Sequence, residues 1–244
     1  MADERYSRTE MLIGTEALEK LAQSHVTVFG AGGVGGYVIE ALARSGVGTL
    51  EIIDNDTVVP SNLNRQIIAV EDTLGMLKTD AACRRIHSIN PEIRVILHPE
   101  FYLPENSGSY DFEAMDYVVD AIDTVTAKID LILKAKEHNI PIISAMGCGN
   151  RLDPSKLKIC DLFETSGDPL AKIMRHELRK RGVRSLTVVC SDEKPLRPIP
   201  ELAEKSAQPG RRSTPGSSPF VPSAAGLFIA SKVCRDLIGY KEVR

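Results

Sequence analysis

The sequence predicts a doubly wound, Rossmann-like α/β fold with a mostly parallel sheet and an antiparallel extension near the C-terminus. Apolar runs without polar alternation, typical of buried parallel strands, recur between segments with helical periodicity. Two short apolar segments, 157–163 and 186–190, lack crossover helices of the earlier kind, which favours antiparallel pairing there. We therefore expect residues 1–244 to form one domain.

The composition narrows the class of protein. A chain of 244 residues with 43% hydrophobic residues has the composition of a globular protein. Its net charge of −3 argues against a protein that coats nucleic acid with its whole surface, but it allows a local basic patch. Apolar runs are too short to cross a bilayer, so we expect no membrane partner. Five cysteines without a CxxC pair favour a reducing cytoplasm and disfavour disulfide or zinc frameworks.

The first predicted element is an amphipathic helical segment over residues 5–22, interrupted near Gly14. Arg5 and Arg8 stand at its head. The pattern alone does not separate a functional role for these arginines from ordinary surface charge.

The next stretch predicts a nucleotide site. A buried strand, Val26–Phe29, leads into a glycine-rich turn and a helix, and a second strand, Leu50–Ile53, ends in Asp54. Glycines allow a tight turn in which phosphate approaches backbone N–H groups, and an acid at the second strand tip suits a ribose hydroxyl. The candidate turn glycines are Gly30, Gly32, Gly33 and Gly35.

A polar segment follows the second strand, where ligands bind in open α/β sheets. It contains Asp56, Asn62 and Arg65, and Lys78 follows Arg65 by 13 residues at the start of a predicted helix, Lys78–Ile89. Guanidinium and ammonium groups beside a phosphate turn suit a triphosphate.

The sheet continues with strands predicted at Val95–Leu97, 117–123 and Ile140–Ser144. The middle strand ends in Asp123, just before a helix running to about His138. At that place a carboxylate can cap the helix or bind a metal ion, and the two roles are compatible.

A run of positive charge stands out in the C-terminal third of the chain. Residues 172–184 contain six Lys or Arg and one Glu, which suggests a polyanion partner, although a solvated helix face gives the same pattern. Residues 205–222 contain ten Pro, Gly or Ser in eighteen positions, which predicts a mobile loop, either a lid or a disordered connection. A last helix is predicted over residues 224–240, with Cys234 in its apolar stripe.

The glycine pattern is compatible with two nucleotides, NAD and ATP. Gly30-x-Gly32-x-x-Gly35 with Asp54 19 residues later satisfies the dinucleotide fingerprint, so an NAD-dependent oxidoreductase is one alternative. The doubled glycines, the basic pair Arg65 and Lys78, and the absence of an evident second domain favour ATP.

The motifs together resemble the ubiquitin-activating-enzyme superfamily, which includes the adenylyltransferases of the thiamine and molybdopterin pathways. The resemblance covers roughly residues 5–150. It rests on Arg5-Tyr6-x-Arg8, GAGGVGG, Asp54-x-Asp56-x-Val58, Ser61-Asn62-Leu63-x-Arg65-Gln66, Lys78 and Asp120-Ala121-Ile122-Asp123. It implies that ATP adenylates a carboxylate with release of pyrophosphate.

The resemblance also implies site residues. Asp54 and the adjoining Asp56 belong to the nucleotide site, with Asp54 on the ribose. Asn62, Arg65 and Lys78 hold phosphates. Arg65 and Lys78 count as catalytic because adenylation needs charge stabilised on the α-phosphorus and the leaving pyrophosphate.

Two further catalytic residues follow from the same resemblance. Asp123 ligates Mg²⁺, and Arg8 reaches the ATP of the other subunit in a homodimer. The CxxC pairs of the sulfur-carrier members are missing from this chain.

Over nearly the whole chain the sequence resembles the tRNA threonylcarbamoyladenosine dehydratase branch. The segment GCGNRLDPSKLKICDLFETSGDPLAKIMRHELRKRG and the loop PGSSPFVPSAAG carry that resemblance. It implies adenylation of the threonylcarbamoyl carboxylate in tRNA, followed by ring closure with loss of one water. The predicted tRNA contacts are Arg175, Arg179, Lys180, Arg181, Arg184, Arg211 and Arg212.

Other functions stay open at this point. The first is an adenylyltransferase for a small sulfur-carrier protein, and the second is the NAD-dependent oxidoreductase. A third is an ATP-binding scaffold for a cysteine desulfurase pathway. In that setting Cys234 is either a packed core thiol or a contact for a sulfur-acceptor partner.

Overall fold

A single sheet of seven strands forms the centre of this computed structural model, which describes residues 3–205 and 215–241. The strands are β1 (His25–Phe29), β2 (Thr49–Ile53), β3 (Arg94–His98), β4 (Tyr117–Asp120), β5 (Ile142–Ala145), β6 (Leu157–Asp161) and β7 (Thr187–Ser191). Their order is β3-β2-β1-β4-β5-β7-β6. Only β6 is antiparallel to its neighbour, β7, which confirms the predicted fold class.

The helices cover both faces of this sheet. They are α1 (Ser7–Ile13), α2 (Thr15–Gln23), α3 (Gly35–Ser45), α4 (Lys78–Ile89), α5 (Val125–Glu137), α6 (Pro169–Lys180), α7 (Pro200–Lys205) and α8 (Val221–Leu237). One apolar core lies between the sheet and α3, α4 and α8, and a second lies between the sheet and α5 and α6. Within the described residues, no helix is both long and apolar enough to span a membrane.

The order of the strands changes side at β1. The chain adds β2 and β3 on one side of β1, and it then returns to add β4 and the later strands on the other side. β1 and β4 run parallel and are neighbours, with Phe29 paired to Asp120 at their carboxyl ends. In open α/β sheets, ligands bind in the crevice outside this switch point. The glycine turn after β1 and the acids after β4 therefore meet at one edge.

A helix, α6, lies between β6 and β7, and its residues Ala171, Met174 and Leu178 form an apolar stripe that packs on the sheet. Because β6 and β7 are antiparallel, α6 is not a crossover between parallel strands, which confirms the predicted antiparallel extension. One sequence prediction needs correction. The last helix begins at Val221, before the predicted residue 224, since a proline at position 222 is tolerated in a first helical turn.

The loop predicted over residues 205–222 is described only at its ends. Residues 206–214, which include Arg211 and Arg212, lie outside the described residues. Lys205 ends α7, and residues 215–220 lead into α8. The mobility of this loop stays a prediction.

Candidate active site

The glycine turn joins β1 to α3 through two contacts that no larger residue allows. Gly30 has a φ of +96°, and a Cβ there would lie 2.7 Å from the Ala121 carbonyl oxygen. A Cβ on Gly35 would lie 1.7 Å from the Gly30 carbonyl oxygen. These contacts hold the turn tight against β4 and leave the first N–H groups of α3 at the carboxyl edge of the sheet, which suits an anion.

Asp54 lies at the tip of β2 beside this turn. One carboxylate oxygen accepts a hydrogen bond from the Ala31 amide at 2.7 Å, and the other accepts from the Asp56 amide at 2.9 Å. Burial is the main influence on the carboxyl group and raises the pKa of Asp54 above its usual value. The carboxylate is therefore fixed where the sequence predicts a ribose contact.

Lys78 begins α4 and lies buried between the two acids of this motif. Its Nζ is 2.6 Å from Asp56 Oδ2 and 3.8 Å from Asp54 Oδ1. The Lys78 amide also donates to the Asp56 carbonyl at 2.9 Å. The start of α4 is thus tied to the end of β2, which brings this lysine to the same edge as the turn.

Arg65 lies across the glycine turn. A Cβ built on Gly33 would be 3.6 Å from Arg65 Cγ. Arg65 Nη1 donates to the Ser61 carbonyl at 2.7 Å and to Asn64 Oδ1 at 2.9 Å. Burial lowers the pKa of the Arg65 guanidinium. The arginine is therefore held by its own segment beside the predicted phosphate site.

Asn62 has a structural contact in the same segment. Its Oδ1 accepts a hydrogen bond from the Val59 amide at 3.2 Å and its side chain is buried. This bond closes the turn that carries Arg65. Phosphate binding by Asn62 stays a prediction.

One acid, Asp120, ends β4 and another, Asp123, lies three residues beyond it, and their environments differ. Asp120 is fully buried and accepts hydrogen bonds from Lys128 Nζ at 2.9 Å and from the Ser144 hydroxyl. Asp123 is exposed, with Thr124 Oγ1 3.4 Å from its Oδ1, and Thr124 rather than Asp123 is the N-cap residue of α5. Asp123 is therefore the solvent-exposed acid of this pair.

The sequence analysis missed Lys128. It lies eight residues beyond Asp120, inside α5, and its fully buried ammonium also donates to the Ile122 carbonyl at 3.0 Å. The sequence contained a signal for this residue. A lysine that stands among the apolar residues of a predicted helix is buried with them, and a buried charge needs a partner.

A second set of residues that sequence reasoning missed lies at the carboxyl end of β5. Arg151 and Asp168 form a buried ion pair at 2.9 Å, and Asp168 also caps α6 by accepting from the Ala171 amide. Cys148 lies beside this pair, and burial raises its pKa to about 11. Such a thiol is protonated at neutral pH and is a poor nucleophile.

Within one chain the structure does not bring Arg8 to the other site residues. Tyr6, just before α1, donates its hydroxyl to the Ala43 carbonyl in the last turn of α3 at 3.2 Å. The glycine turn lies at the opposite end of α3, a separation of about 16 Å for a helix of that length. Arg8 is exposed.

Five of the seven predicted tRNA contacts lie within the described residues, along and beyond α6. Arg175 bonds to Thr165, and the Arg179 guanidinium lies 5.3 Å from the centre of the Phe163 ring. Lys180 and Arg181 pair with Glu177 at 3.2 and 2.7 Å, and the exposed Arg184 follows the helix.

This basic run extends away from the nucleotide site. Asp168 is the N-cap residue of α6, and a Cβ on Gly147 would be 3.1 Å from its carboxylate. Lys180 lies at the far end of the helix, about 18 Å further along. A ligand that contacts both the nucleotide site and the far end of α6 must therefore be large.

Comparisons with known proteins agree with this geometry. Residues 6–198 match the ThiF family model. The chain is 41% identical to Bacillus subtilis tRNA threonylcarbamoyladenosine dehydratase (98% of this chain, 97% of the relative). It is 36% identical to the Haemophilus influenzae protein of the same name (98% and 95%). The crystal structure of Escherichia coli TcdA, a tRNA N6-threonylcarbamoyladenosine dehydratase, in complex with ATP matches with a TM-score of 0.87 and 33% identity (97% and 94%). The chain therefore belongs to the ThiF family, among the tRNA threonylcarbamoyladenosine dehydratases.

Proposed function

We propose that this protein uses ATP to activate the carboxylate of threonylcarbamoyladenosine in tRNA and then closes a ring with loss of one water. The observation that carries the proposal is the meeting of Asp54, Arg65 and Lys78 beside the glycine turn at the switch point, and we propose that Asp123, three residues beyond β4, belongs to the same site. The relatives named for this reaction support it, as does the E. coli protein described in complex with ATP.

The nucleotide fits the site by charge and by shape. The Asp54 carboxylate is placed to accept a ribose hydroxyl, and we propose that backbone N–H groups around Gly32, Gly33 and Gly35 bind the phosphates, while the Gly30 N–H donates to the Ile53 carbonyl at 2.8 Å. Arg65 and Lys78 lie beside the turn, where two cations offset the charge of a triphosphate, and Asn62 is proposed as a further phosphate contact.

Mg²⁺ fits the residues present. In the described part of the chain no group of three or more His, Cys, Asp or Glu side chains is arranged to hold a metal ion. Mg²⁺ on a nucleotide is usually held by one or two carboxylates together with phosphate oxygens, and the exposed Asp123 supplies such a carboxylate. Bound there, Mg²⁺ would neutralise charge on the phosphates.

The chemistry asks mainly for positioning and positive charge. As the substrate carboxylate oxygen bonds to the α-phosphorus, the bond to pyrophosphate breaks, and Arg65 and Lys78 stabilise the charge that moves onto the leaving group. An atom of the same modified nucleoside then attacks the activated carbonyl and releases AMP. This second step is intramolecular, so it needs no enzyme thiolate.

We propose a homodimer in which Arg8 completes the site of the partner subunit. Arg8 shares one face of α1 with Met11 and Leu12, at spacings of three and four residues. Met11 and Leu12 are 80% and 86% exposed, which is costly unless another surface covers them. A second copy of the chain placed there would bring Arg8 to a nucleotide that it does not reach in its own subunit.

We assign the tRNA backbone to the basic run of α6. Arg175, Arg179, Lys180, Arg181 and Arg184 lie on and beyond this helix, and a tRNA is large enough to touch both them and the nucleotide site. Arg211 and Arg212 are predicted contacts outside the described residues. Contacts of this kind supply affinity without reading base sequence.

We further propose that residues 1–244 act as one adenylation domain in the cytoplasm. Free cysteines throughout the described chain agree with a reducing compartment.

A sulfur-acceptor or cysteine desulfurase partner remains a weaker proposal. Cys234 packs against the apolar core between α8 and α3, and burial raises its pKa, so the structure favours a core thiol. The adenylyltransferase alternative would require activation of a sulfur-carrier protein instead of tRNA, and the oxidoreductase alternative would require bound nicotinamide.

A direct assay separates these proposals. The purified protein, ATP and Mg²⁺ are incubated with tRNA that carries threonylcarbamoyladenosine, with unmodified tRNA, or with a sulfur-carrier protein. AMP and pyrophosphate formed only with the modified tRNA support the proposed function. Formation of either product with the carrier protein alone would contradict it.

A further inference from the structure

Asn150 links two distant parts of the chain at the edge of the candidate site. It has a φ of 59°, a left-handed conformation that asparagine tolerates better than most residues. Its carbonyl accepts from the Leu196 amide at 2.7 Å. Its amide donates to the Gly216 carbonyl, and its Oδ1 accepts from the Gly216 amide, both at 2.7 Å. Asn150 therefore fixes residue 216 at the carboxyl end of β5.

Residues 215–218, here called the bridging segment, continue from that point toward the phosphate site. A Cβ on Gly149 would be 2.9 Å from Pro215 Cβ, so the segment packs directly on the chain after β5. The Ser217 carbonyl accepts from Asn64 Nδ2 at 3.0 Å. The segment thus spans from Asn150 to the neighbour of Arg65.

The Asn64 side chain joins the bridging segment to Arg65. While its Nδ2 donates to Ser217, its Oδ1 accepts from Arg65 Nη1 at 2.9 Å. The nitrogen and the oxygen of this amide therefore each make one hydrogen bond, and only one orientation of the amide satisfies both. A continuous set of contacts therefore runs from Asn150 through the bridging segment and Asn64 to the guanidinium.

We propose that Asn64 and Asn150 are positioning residues that hold the Arg65 guanidinium in place for the phosphates of ATP. The proposal rests on the proposed function only in taking Arg65 as a phosphate ligand. A free arginine side chain loses rotamer entropy when it binds, and a guanidinium already held by Asn64 loses less. Neither asparagine needs to touch the nucleotide for this effect.

The test is a double-mutant cycle on ATP affinity, measured by calorimetry with ATP and Mg²⁺ and without tRNA. Asn64→Ala removes both side-chain bonds, and Asn150→Gly keeps the left-handed backbone but removes the Oδ1 acceptor. Each change is made in the wild-type chain and in Arg65→Ala. Asn139→Gly is the matched control, because Asn139 has a similar φ of 58° and lies exposed after α5.

Each change is expected to weaken ATP binding about five- to tenfold when Arg65 is present and less than about twofold in Arg65→Ala. Asn139→Gly should have no effect. Equal weakening in both backgrounds, or no weakening in the wild-type background, would overturn the proposal. Because Asn64 is exposed, Asn64→Ala should fold. Its ATP affinity therefore tests the proposal even if Asn150→Gly fails to fold.

A failure of the proposed function would be seen in a different measurement, the formation of AMP with modified tRNA. ATP binding needs no tRNA, so the cycle is complete even for a protein that forms no AMP with modified tRNA. Absence of AMP would contradict the reaction but leave the positioning of Arg65 supported or overturned by the affinities alone.

Discussion

Lys78 Nζ lies 2.6 Å from Asp56 Oδ2, with the lysine side chain 7% exposed and the aspartate side chain 60% exposed. The pair joins the start of α4 to the end of β2, and it holds a positive charge beside the glycine turn. A buried cation with an exposed partner is well placed to share its charge with an incoming anion.

Lys78→Met should therefore weaken ATP binding. Loss of charge-assisted hydrogen bonds to phosphate is worth about 1.5 to 3 kcal/mol, or about 10- to 100-fold in Kd. Calorimetry with ATP and Mg²⁺ measures the change. Lys20→Met, which removes a lysine from the exposed pair with Glu16, is the control and should bind like the wild type. Unchanged affinity of Lys78→Met would remove this lysine from the site.

Arg8 offers a test of the proposed dimer. Arg8→Ala and Arg65→Ala should each be nearly inactive alone, because each removes a cation from every site. In a mixture of the two variants, a subunit with intact Arg65 can receive Arg8 from its partner. Random exchange then restores about one quarter of the wild-type activity.

The measurement is AMP formation as the two variants are mixed in different ratios. If Arg8 acts within its own subunit, no ratio will restore activity. Sedimentation of Met11→Asp should also show loss of the dimer, since the exposed Met11 lies on the same face of α1.

The basic surface of α6 predicts salt-dependent tRNA binding. Arg179→Glu should weaken tRNA binding and lower the slope of log Kd against log salt by about one phosphate contact, which is about 0.7 to 0.9. ATP affinity should stay unchanged, because α6 leads away from the glycine turn. Lys20→Glu on α2 provides a charge reversal elsewhere and should leave the slope unchanged. An unaltered slope for Arg179→Glu would place the tRNA on another surface.

Glu51 predicts how stability depends on pH. It is buried in β2 and accepts from Thr27 in β1 at 2.8 Å, with His98 Nε2 in β3 at 2.7 Å. Burial alone raises the pKa of Glu51, but His25, Thr27 and His98 outweigh burial and lower the pKa below its usual 4.5. A lowered carboxyl pKa stabilises the fold above the unfolded value, and this contribution is lost as the pH falls through the folded value.

Glu51→Gln should therefore be less stable than the wild type at pH 7, by about 1 to 3 kcal/mol. The difference should shrink as the pH falls below about 4.5, first as the unfolded chain takes up a proton and then, at lower pH, as the folded carboxylate does. Urea unfolding at several pH values measures it, with the exposed Glu137→Gln as the control. A difference that is equal at neutral and acidic pH would show that the charge of Glu51 does not stabilise the sheet.

Much of the nucleotide half could be predicted because its constraints are local. Gly35 is fixed by the Gly30 carbonyl five residues earlier, Gly30 is favoured by its positive φ, and Asp54 follows directly from the end of β2. The helix predicted over Lys78–Ile89 is confirmed, since its apolar spacing and its position after the polar segment were both visible in the sequence.

The remaining features depend on contacts between distant residues. Asn150 and Gly216 are 66 residues apart, and nothing near either one indicates the other. The Asp120–Lys128 ion pair was missed because a lysine in a helix is usually exposed. The course of α6 away from the site depends on the antiparallel β6, whose placement cannot be read from charge patterns.

The central claim is that ATP cleavage at this site is coupled to loss of water from one tRNA nucleoside. Nucleoside mass analysis of modified tRNA, before and after incubation with the protein, ATP and Mg²⁺, tests it most directly. We expect a nucleoside lighter by one water, formed in equal amount to AMP and in much smaller amount with Lys78→Met. AMP released while the threonylcarbamoyladenosine mass stays unchanged would contradict it.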